Sequence, residues 1–410
     1  MTFDTLVLGA GIVGVCTAVH LQRRGQRVVL VDRKAPGNET SFGNAGLIQA
    51  EGVYPYALPR ELRTLLRYAG NRLPDVRYHP DALPRVLPFL WRYWRNSHPQ
   101  RHAAIAQCYA TLIRESVAEH RALARAAGAE GLIRQGGWMR VFRTREKHWE
   151  AIAESERARQ EFGIPFEALD SAGLRAAEPD LDPSLAGAVR YVISESTVDP
   201  HALVSAYARY FEALGGLVVT GDATTLSGAW RVETEVGPVA AKSAVIALGP
   251  WSDTLTQRLG YRLPLAVKRG YHMHYAAKEG ARLNHPVLDA ERGYLLAPMT
   301  RGIRLTTGAE FARRDAPRTP DQLEAVEPIA RTLFPLAGRL DAEPWMGSRP
   351  CTPDMLPIIG PAPAHAGLWF AFGHAHHGLT LGPATGRLLA EMMTGAEPFA
   401  DPKPFRADRF

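Results

Sequence analysis

An apolar run, Thr5-Leu-Val-Leu8, leads into Gly9-Ala-Gly11-Ile-Val-Gly14, a stretch with helical spacing to Arg24, and a second apolar run, Gln26–Val31, ending on Asp32. This order predicts strand, glycine turn, helix and strand, one complete βαβ unit. At Thr197–Thr220 the signals return: Asp199 is placed to cap a helix that starts on Pro200 and runs to about Leu214. Gly215-Gly216 stop it, and a strand follows over Leu217–Thr220. Ala244–Leu248, closed by Gly249-Pro250, reads as a fully buried parallel strand. Residues 54 to about 150 are instead rich in arginine, proline and aromatics with helical patches, and 262–312 alternate like antiparallel strands. Parallel-sheet pieces thus come at the start, middle and end, with a second domain inserted in two portions.

The 410 residues, 46% hydrophobic and 22% charged, suit two intertwined globular domains and exclude a disordered chain. Cys16, Cys108 and Cys351 lie far apart, without the spacings of a zinc or iron–sulfur site, and fit a reducing compartment. Cys16 stands at helical spacing from Ile12 and Val19 and reads as core. No secretory signal pattern opens the sequence, so a cytoplasmic location is expected. Met355–Gly386 holds no charged residue, but prolines, glycines and four histidines interrupt it, which points to buried interior rather than a membrane span.

The net charge of +6 is concentrated in Arg60–Arg101, where nine arginines face only Glu61, Asp75 and Asp81. No nucleic-acid motif accompanies it, and no nucleic-acid partner is expected. The aromatics Phe89, Trp91, Tyr93 and Trp94 in this segment allow two readings. One is peripheral contact with an anionic membrane, on the inner face of the plasma membrane, with electrons passed to quinone; the other is an ordinary amphipathic helix with a solvated arginine face.

The glycines at 9, 11 and 14 have separate tasks: a tight turn, close approach of backbone to a pyrophosphate, and helix-on-sheet packing. The helix N-terminus, at Ile12 and Val13, offers free N–H groups to phosphate. Asp32, 18 residues beyond Gly14, is placed to accept from a ribose diol, with Arg33 beside it. The motif does not itself separate FAD from NAD. FAD is favoured because the fingerprint opens the chain and no second one exists for a nicotinamide. Ser41, Asn44, Ala45 and Gly46 in Thr40–Gly46 are also small enough for close cofactor approach.

Near the other end lie Trp345–Asp354, Leu356–Gly360 and Phe372–Pro383. Glycines between 373 and 382 permit close backbone approach, and a helix is expected from Pro383 to about Met393, stopping at Thr394-Gly395. Its positive end would favour the charge of a reduced flavin. His374, His376 and His377 crowd together, but adjacent side chains point apart and no carboxylate or thiolate completes a set, so no metal is expected. Arg349 stands in an aromatic, charge-poor neighbourhood, where a substrate carboxylate is the natural partner; a salt bridge to Asp354 or Glu343 is the alternative.

Together the fingerprint, Ser41–Gly46, Val198-Asp-Pro200, Ala247–Ser252, Arg269-Gly-Tyr271, Trp345–Gly360 and Gly373-His374 resemble, in order, the D-amino-acid oxidase/dehydrogenase superfamily of FAD proteins, most of all the bacterial D-amino-acid dehydrogenases. The resemblance implies an α/β fold: a glutathione-reductase-like Rossmann FAD domain (1–53, 195–260, 340–410) with a mainly antiparallel β substrate domain (54–194, 261–339). It implies that Tyr271 and Arg349 bind the substrate carboxylate, that Tyr54 lines the pocket, and that His374 lies on the flavin loop. Val219, Gly249, Trp251, Gly373, His377, Gly378, Leu379 and Thr380 are the further residues expected at the cofactor. Some sarcosine-oxidase-like members attach flavin through a cysteine a few residues before the corresponding turn. Cys351 directly precedes Thr352-Pro353-Asp354, so non-covalent FAD is expected.

The expected reaction is oxidation of a small amino acid, a D-amino acid with D-proline or hydroxyproline among the candidates. The α-hydrogen leaves as hydride to the flavin, and positioning supplies most of the rate. Electrons then go to quinone or another acceptor; the alternative is a sarcosine- or glycine-type oxidase releasing hydrogen peroxide.

Overall fold

The computed structural model describes the whole chain except Met1 and Arg72. β1 (Thr2–Leu8), α1 (Ile12–Arg23) and β2 (Val28–Asp32) form the expected βαβ unit, with Leu8 paired in parallel to Val31. β1 lies between β2 and the strand Val239–Ile246, and β2 between β1 and the parallel start of Leu217–Ser227. On the far side Leu368–Phe372 continues the parallel order, while Arg231–Thr234 and Ile358–Pro361 run antiparallel. Leu6, Val7, Leu8, Val29, Leu30, Val31 and Val245 are wholly buried, which is why these strands are continuously apolar: both faces of a parallel sheet are covered.

The helix Pro200–Ala213 is capped by Asp199, whose Oδ1 accepts from Ala202 N at 2.9 Å. The C-terminal helix departs from expectation. It spans Gly378–Thr394, with Pro383 inside rather than at its start. Proline lacks the N–H that would bond the Leu379 carbonyl, and His120 Nε2 bonds that oxygen instead, at 2.8 Å. The glycines serve packing: a Cβ at Gly382 would lie 2.7 Å from Ile12 Cγ1, and one at Gly386 would lie 2.6 Å from the Cys16 carbonyl. The helix therefore rests directly on α1.

A second, eleven-stranded sheet is built around the long strand Ala266–Ala277. Trp345–Cys351 pairs antiparallel with it from Ala266↔Cys351 to His272↔Trp345. These seven residues thus belong to the second sheet, so the boundary at 340 lies too early. The short strands Leu47–Ile48, Ile133–Arg134 and Glu195–Thr197 form a ribbon that mixes both sets of expected domain residues.

In the basic segment, α2 (Leu62–Ala69) has no buried residue, and α3 (Leu83–Asn96) buries Val86, Phe89 and Tyr93. Trp91 stacks on Trp94 at 5.4 Å on the outer side. α4 (Pro99–Ala126) carries Tyr109 and His120 into the core. Among the described residues no helix is long and apolar enough to cross a membrane.

Candidate active site

Between the two large sheets lies a cavity of about 1340 Å³, walled by the fingerprint, the 41–45 loop, Ala247–Trp251, His374–Leu379, Lys268 and Arg349. That exceeds the roughly 300–1,000 Å³ of ordinary small-ligand sites; it has room for a dinucleotide and a second small molecule.

The residues at one end fit FAD. Gly9 has φ +106°, and a side chain there would strike the Ala247 carbonyl; one at Gly14 would strike the Gly9 carbonyl. A Cβ at Gly11 would meet only Ser41 Oγ, at 3.4 Å. The backbone there is open to the cavity, and Gly11 at the N-cap makes no side-chain bond; the expected free Ile12 N–H is taken by Ser41, which leaves the following N–H groups of the helix start to an anion. Ser41 Oγ accepts from Ile12 N at 3.0 Å and so fixes the 41–46 loop against the fingerprint. Asp32 accepts from Ala10 N at 2.6 Å and Lys34 N at 3.1 Å, with acceptor positions left for a diol; burial raises its carboxyl above the ordinary value. Arg33 lies over the Trp251 ring at 4.4 Å.

Gly9, Gly11, Ile12, Val13, Asp32, Arg33, Ser41, Asn44, Ala45, Gly249, Trp251, His374, His377, Gly378 and Leu379 all line the cavity. Five residues expected at the cofactor stand behind it. Gly14 packs on Gly9; Gly46, at φ +83°, leaves room for the Thr197 carbonyl; and Val219 is buried opposite Val31. Gly373, at φ +85°, turns beside Thr352. Thr380 Oγ1 donates to Leu47 O at 3.1 Å and accepts from Gln49 N at 3.2 Å, tying the helix start to the 47–49 segment.

The histidines are neutral by burial. His374 is pushed down to about 3 and shares a hydrogen bond with Thr385 Oγ1 at 2.9 Å. His377, at about 4, uses Nδ1 with Tyr109 OH at 2.7 Å. His376 rests on the Tyr56 ring at 4.7 Å, its imidazole held well below the usual value by burial first, then by Arg349 and Lys268. A different group, His272, His274 and Asp341, gathers ligand-type atoms within 4.8 Å. Yet His274 accepts from Arg304 Nε at 3.0 Å and meets Asp341 through Nδ1 at 2.7 Å, so both its nitrogens are engaged. Arg304 in turn donates to the Asn44 and Phe42 carbonyls and braces the 41–46 loop.

Arg349 stands across the strand from Lys268, so the two share a face. Its Nη1 donates to Gly308 O at 2.9 Å and Arg269 O at 3.3 Å, and Nη2 to Thr307 O at 3.4 Å. The Nε–H and one Nη2–H are left, the adjacent pair that a carboxylate takes in parallel. Asp354 does not compete, because Arg409 holds it at 2.8 Å; Glu343 is exposed and makes no ion pair among the described residues. Burial lowers the Arg349 guanidinium from its ordinary value without neutralising it. Its position depends on Gly270, where a Cβ would lie 2.5 Å from both Nη atoms.

Tyr271 does not join Arg349. It pairs with Met346, one residue out of phase, and strand side chains alternate between faces. Although Tyr271 borders the cavity, its hydroxyl is committed to Thr319 N at 2.8 Å, Glu310 Oε2 at 3.1 Å and Arg269 Nη2 at 3.2 Å. Tyr54 lies on the cavity wall, bonded to Glu161 and edge-on to Phe162. The tyrosine in the electrostatic field of Arg349 is Tyr56, two residues further on.

Sequence reasoning missed Tyr56, Lys268 and Glu51. Lys268 is buried, with Nζ 4.4 Å from the Tyr93 ring centroid and no carboxylate partner among the described residues; burial, then Arg349, lowers its ammonium. The signal was present, a lysine two residues before Gly270 in an apolar strand, but its face is legible only with register. Cys351 is buried, its thiol pushed up by burial, and it is absent from the cavity wall.

A model of the DAO family, described as FAD dependent oxidoreductase, matches residues 4–392. A D-amino-acid oxidase of Bradyrhizobium diazoefficiens is 32% identical, over 98% of each chain. A D-amino acid dehydrogenase of Cereibacter sphaeroides is also 32% identical, over 99% of this chain and 95% of the relative. Among solved structures, glycine oxidase from Geobacillus kaustophilus superposes with a TM-score of 0.74 over 100% and 99% of the two chains at 22% identity. L-proline dehydrogenase from P. horikoshii gives 0.75 over 99% and 97% at 17% identity, which likewise speaks to fold. The fingerprint, the glycine-led C-terminal helix and the match along nearly the whole chain agree: this protein belongs to the DAO family of FAD-dependent oxidoreductases.

Proposed function

We propose that this protein is a D-amino-acid dehydrogenase in which Arg349 binds the substrate carboxylate. The observation that carries the reading is the unpartnered Nε/Nη2 edge of Arg349, in the same cavity as the dinucleotide fingerprint. FAD supplies the hydride acceptor. The chain supplies position: Arg349 fixes the carboxylate, Gly270 gives it space, and Arg304 and Ser41 hold the loop between substrate and cofactor. His374 and His377, neutral at physiological pH, add no charge to the wall. The amine enters unprotonated or loses its proton on binding, and the resulting imine hydrolyses in water.

The D configuration rests on the named relatives at 32% identity, and the electron acceptor on a surface feature. Leu62, Leu66, Leu87 and Trp91 are exposed on α2 and α3, next to Arg63, Arg67, Arg85 and Arg92. Apolar side chains ringed by arginines suit the interface of an anionic bilayer, where a quinone is within reach.

The test is anaerobic reduction of the bound flavin by matched D- and L-amino acids, followed by turnover with a soluble quinone and, separately, in air. Bleaching by D enantiomers, with turnover on quinone and little peroxide, is expected. Bleaching by L enantiomers or glycine alone overturns the D assignment, and stoichiometric peroxide in air makes the enzyme an oxidase.

A further inference from the structure

Glu51 is a carboxylate the chemistry above does not use, and its surroundings are unusual. It lines the cavity and forms no ion pair among the described residues. Gln49 Nε2 donates to its Oε1 at 2.7 Å, Trp138 Nε1 donates to the same oxygen at 3.1 Å, and Ser194 Oγ donates to Oε2. The serine proton is directed to Glu51, since Ser194 Oγ itself accepts from Ala50 N at 2.9 Å. Three donors and no acceptor define a site built for the ionised form. Oε1 is saturated, whereas Oε2 keeps a free lone pair. A half-buried carboxylate without a cation is left uncompensated, and desolvation raises this one from its ordinary value.

Arg349 and Glu51 lie on different walls. The Arg349 strand is separated from the Trp138 strand by five inter-strand steps in the second sheet. Both side chains, and that of Tyr56, line this one cavity. A substrate whose α-carboxylate sits on Arg349 would therefore turn its side-chain end, rather than its amine, towards the Glu51 wall. Of the other charged groups lining the cavity on that side, Arg140 is paired with Glu154 at 2.9 Å and Glu161 accepts from the Tyr54 hydroxyl, while Arg157 is exposed.

We infer that Glu51 is a specificity residue that binds the cationic end, ammonium or guanidinium, of a basic amino-acid substrate. This rests on the proposed function and names its substrate class. Arg349 takes the α-carboxylate, the carbon–nitrogen bond lies between, and Glu51 takes the distal cation, whose arrival supplies the missing counter-charge. Neutral side chains of equal length leave that carboxylate unpaired.

The experiment uses the holoenzyme with D-lysine, D-arginine, D-methionine, D-leucine and D-glutamate, in wild type and in Glu51→Gln. The expected wild-type kcat/KM is at least tenfold higher for the basic pair than for the neutral pair. Glu51→Gln should lower the basic values at least tenfold more than the neutral ones, mostly through KM. A second measurement is independent of the variant: an ω-guanidino carboxylic acid lacking the α-amine should inhibit wild type at least tenfold more tightly than the unsubstituted acid of the same length. Equal losses on all substrates would make Glu51 a loop fastener and overturn the inference, as would a wild-type preference for neutral or acidic side chains. Failure of every amino acid to bleach the flavin would sink the proposed function too, whereas bleaching without basic preference sinks only this inference.

Discussion

Replacing Arg349 with alanine removes a guanidinium edge on the cavity wall that meets no partner among the described residues. Two parallel charge-assisted bonds to a carboxylate are lost, and removing one partner of such a desolvated pair costs about 2–5 kcal/mol. At about 1.4 kcal/mol per factor of ten, kcat/KM should fall by roughly thirtyfold to several thousandfold. Arg349→Lys keeps the charge but not the fork and should recover only part of that loss. The fingerprint lies elsewhere, so both variants should purify yellow with wild-type FAD content. The assay is dye-linked turnover at varied substrate, compared with a primary amine that lacks the carboxylate. Because the clamp acts on the carboxylate, the amine should react equally slowly with wild type and variant. Amino-acid kcat/KM within about threefold of wild type, with FAD bound and melting unchanged, would refute the assignment.

Gly270→Ala places a methyl group where the guanidinium now lies; since a flexible side chain can move aside, melting should change little while kcat/KM falls at least about tenfold, and an unaffected kcat/KM would show that Arg349 acts from another position. Stability should decline on mild acidification: His20, His120, His374 and His377 have folded values of about 3 to 4 against 6.5 unfolded. Between these limits the unfolded chain binds more protons, so stability falls as pH drops from about 6.5 towards 4; a holoenzyme melting temperature that stays flat from pH 7 to 5 would contradict the buried neutral imidazoles. Trp91→Ser combined with Leu66→Ser should leave soluble-dye turnover unchanged and reduce co-sedimentation with phosphatidylglycerol vesicles at physiological salt; wild type that stays in the supernatant would remove the membrane reading.

What the sequence disclosed was whatever is local. The βαβ unit is carried by apolar runs and by glycines within five residues of one another, and Asp199-Pro200 announces a helix start on its own. The place of Arg349 on the cavity wall was legible because a cation among aromatic and apolar neighbours has to find a partner. Tyr271 misled because its face depends on alternation relative to a strand some 75 residues away. Pro383 looked like a helix start because the carbonyl it orphans is bonded by His120, from a distant helix. Glu51 carried no signal, since the donors that define it come from residues 49, 138 and 194. The second sheet claimed Trp345–Cys351 for the same reason: pairing partners are not written next to each other.

In the proposed enzyme one non-covalent FAD and one amino acid share the cavity, the latter held by Arg349. The most direct test of this arrangement is an anaerobic titration of the purified protein with a D-amino acid, monitored by the flavin spectrum, followed by acid release of the cofactor. One FAD per chain, fully released by acid and fully bleached by substrate, is the expected result. A colourless protein that takes up no added FAD, or a flavin that stays oxidised with every amino acid offered, would contradict it.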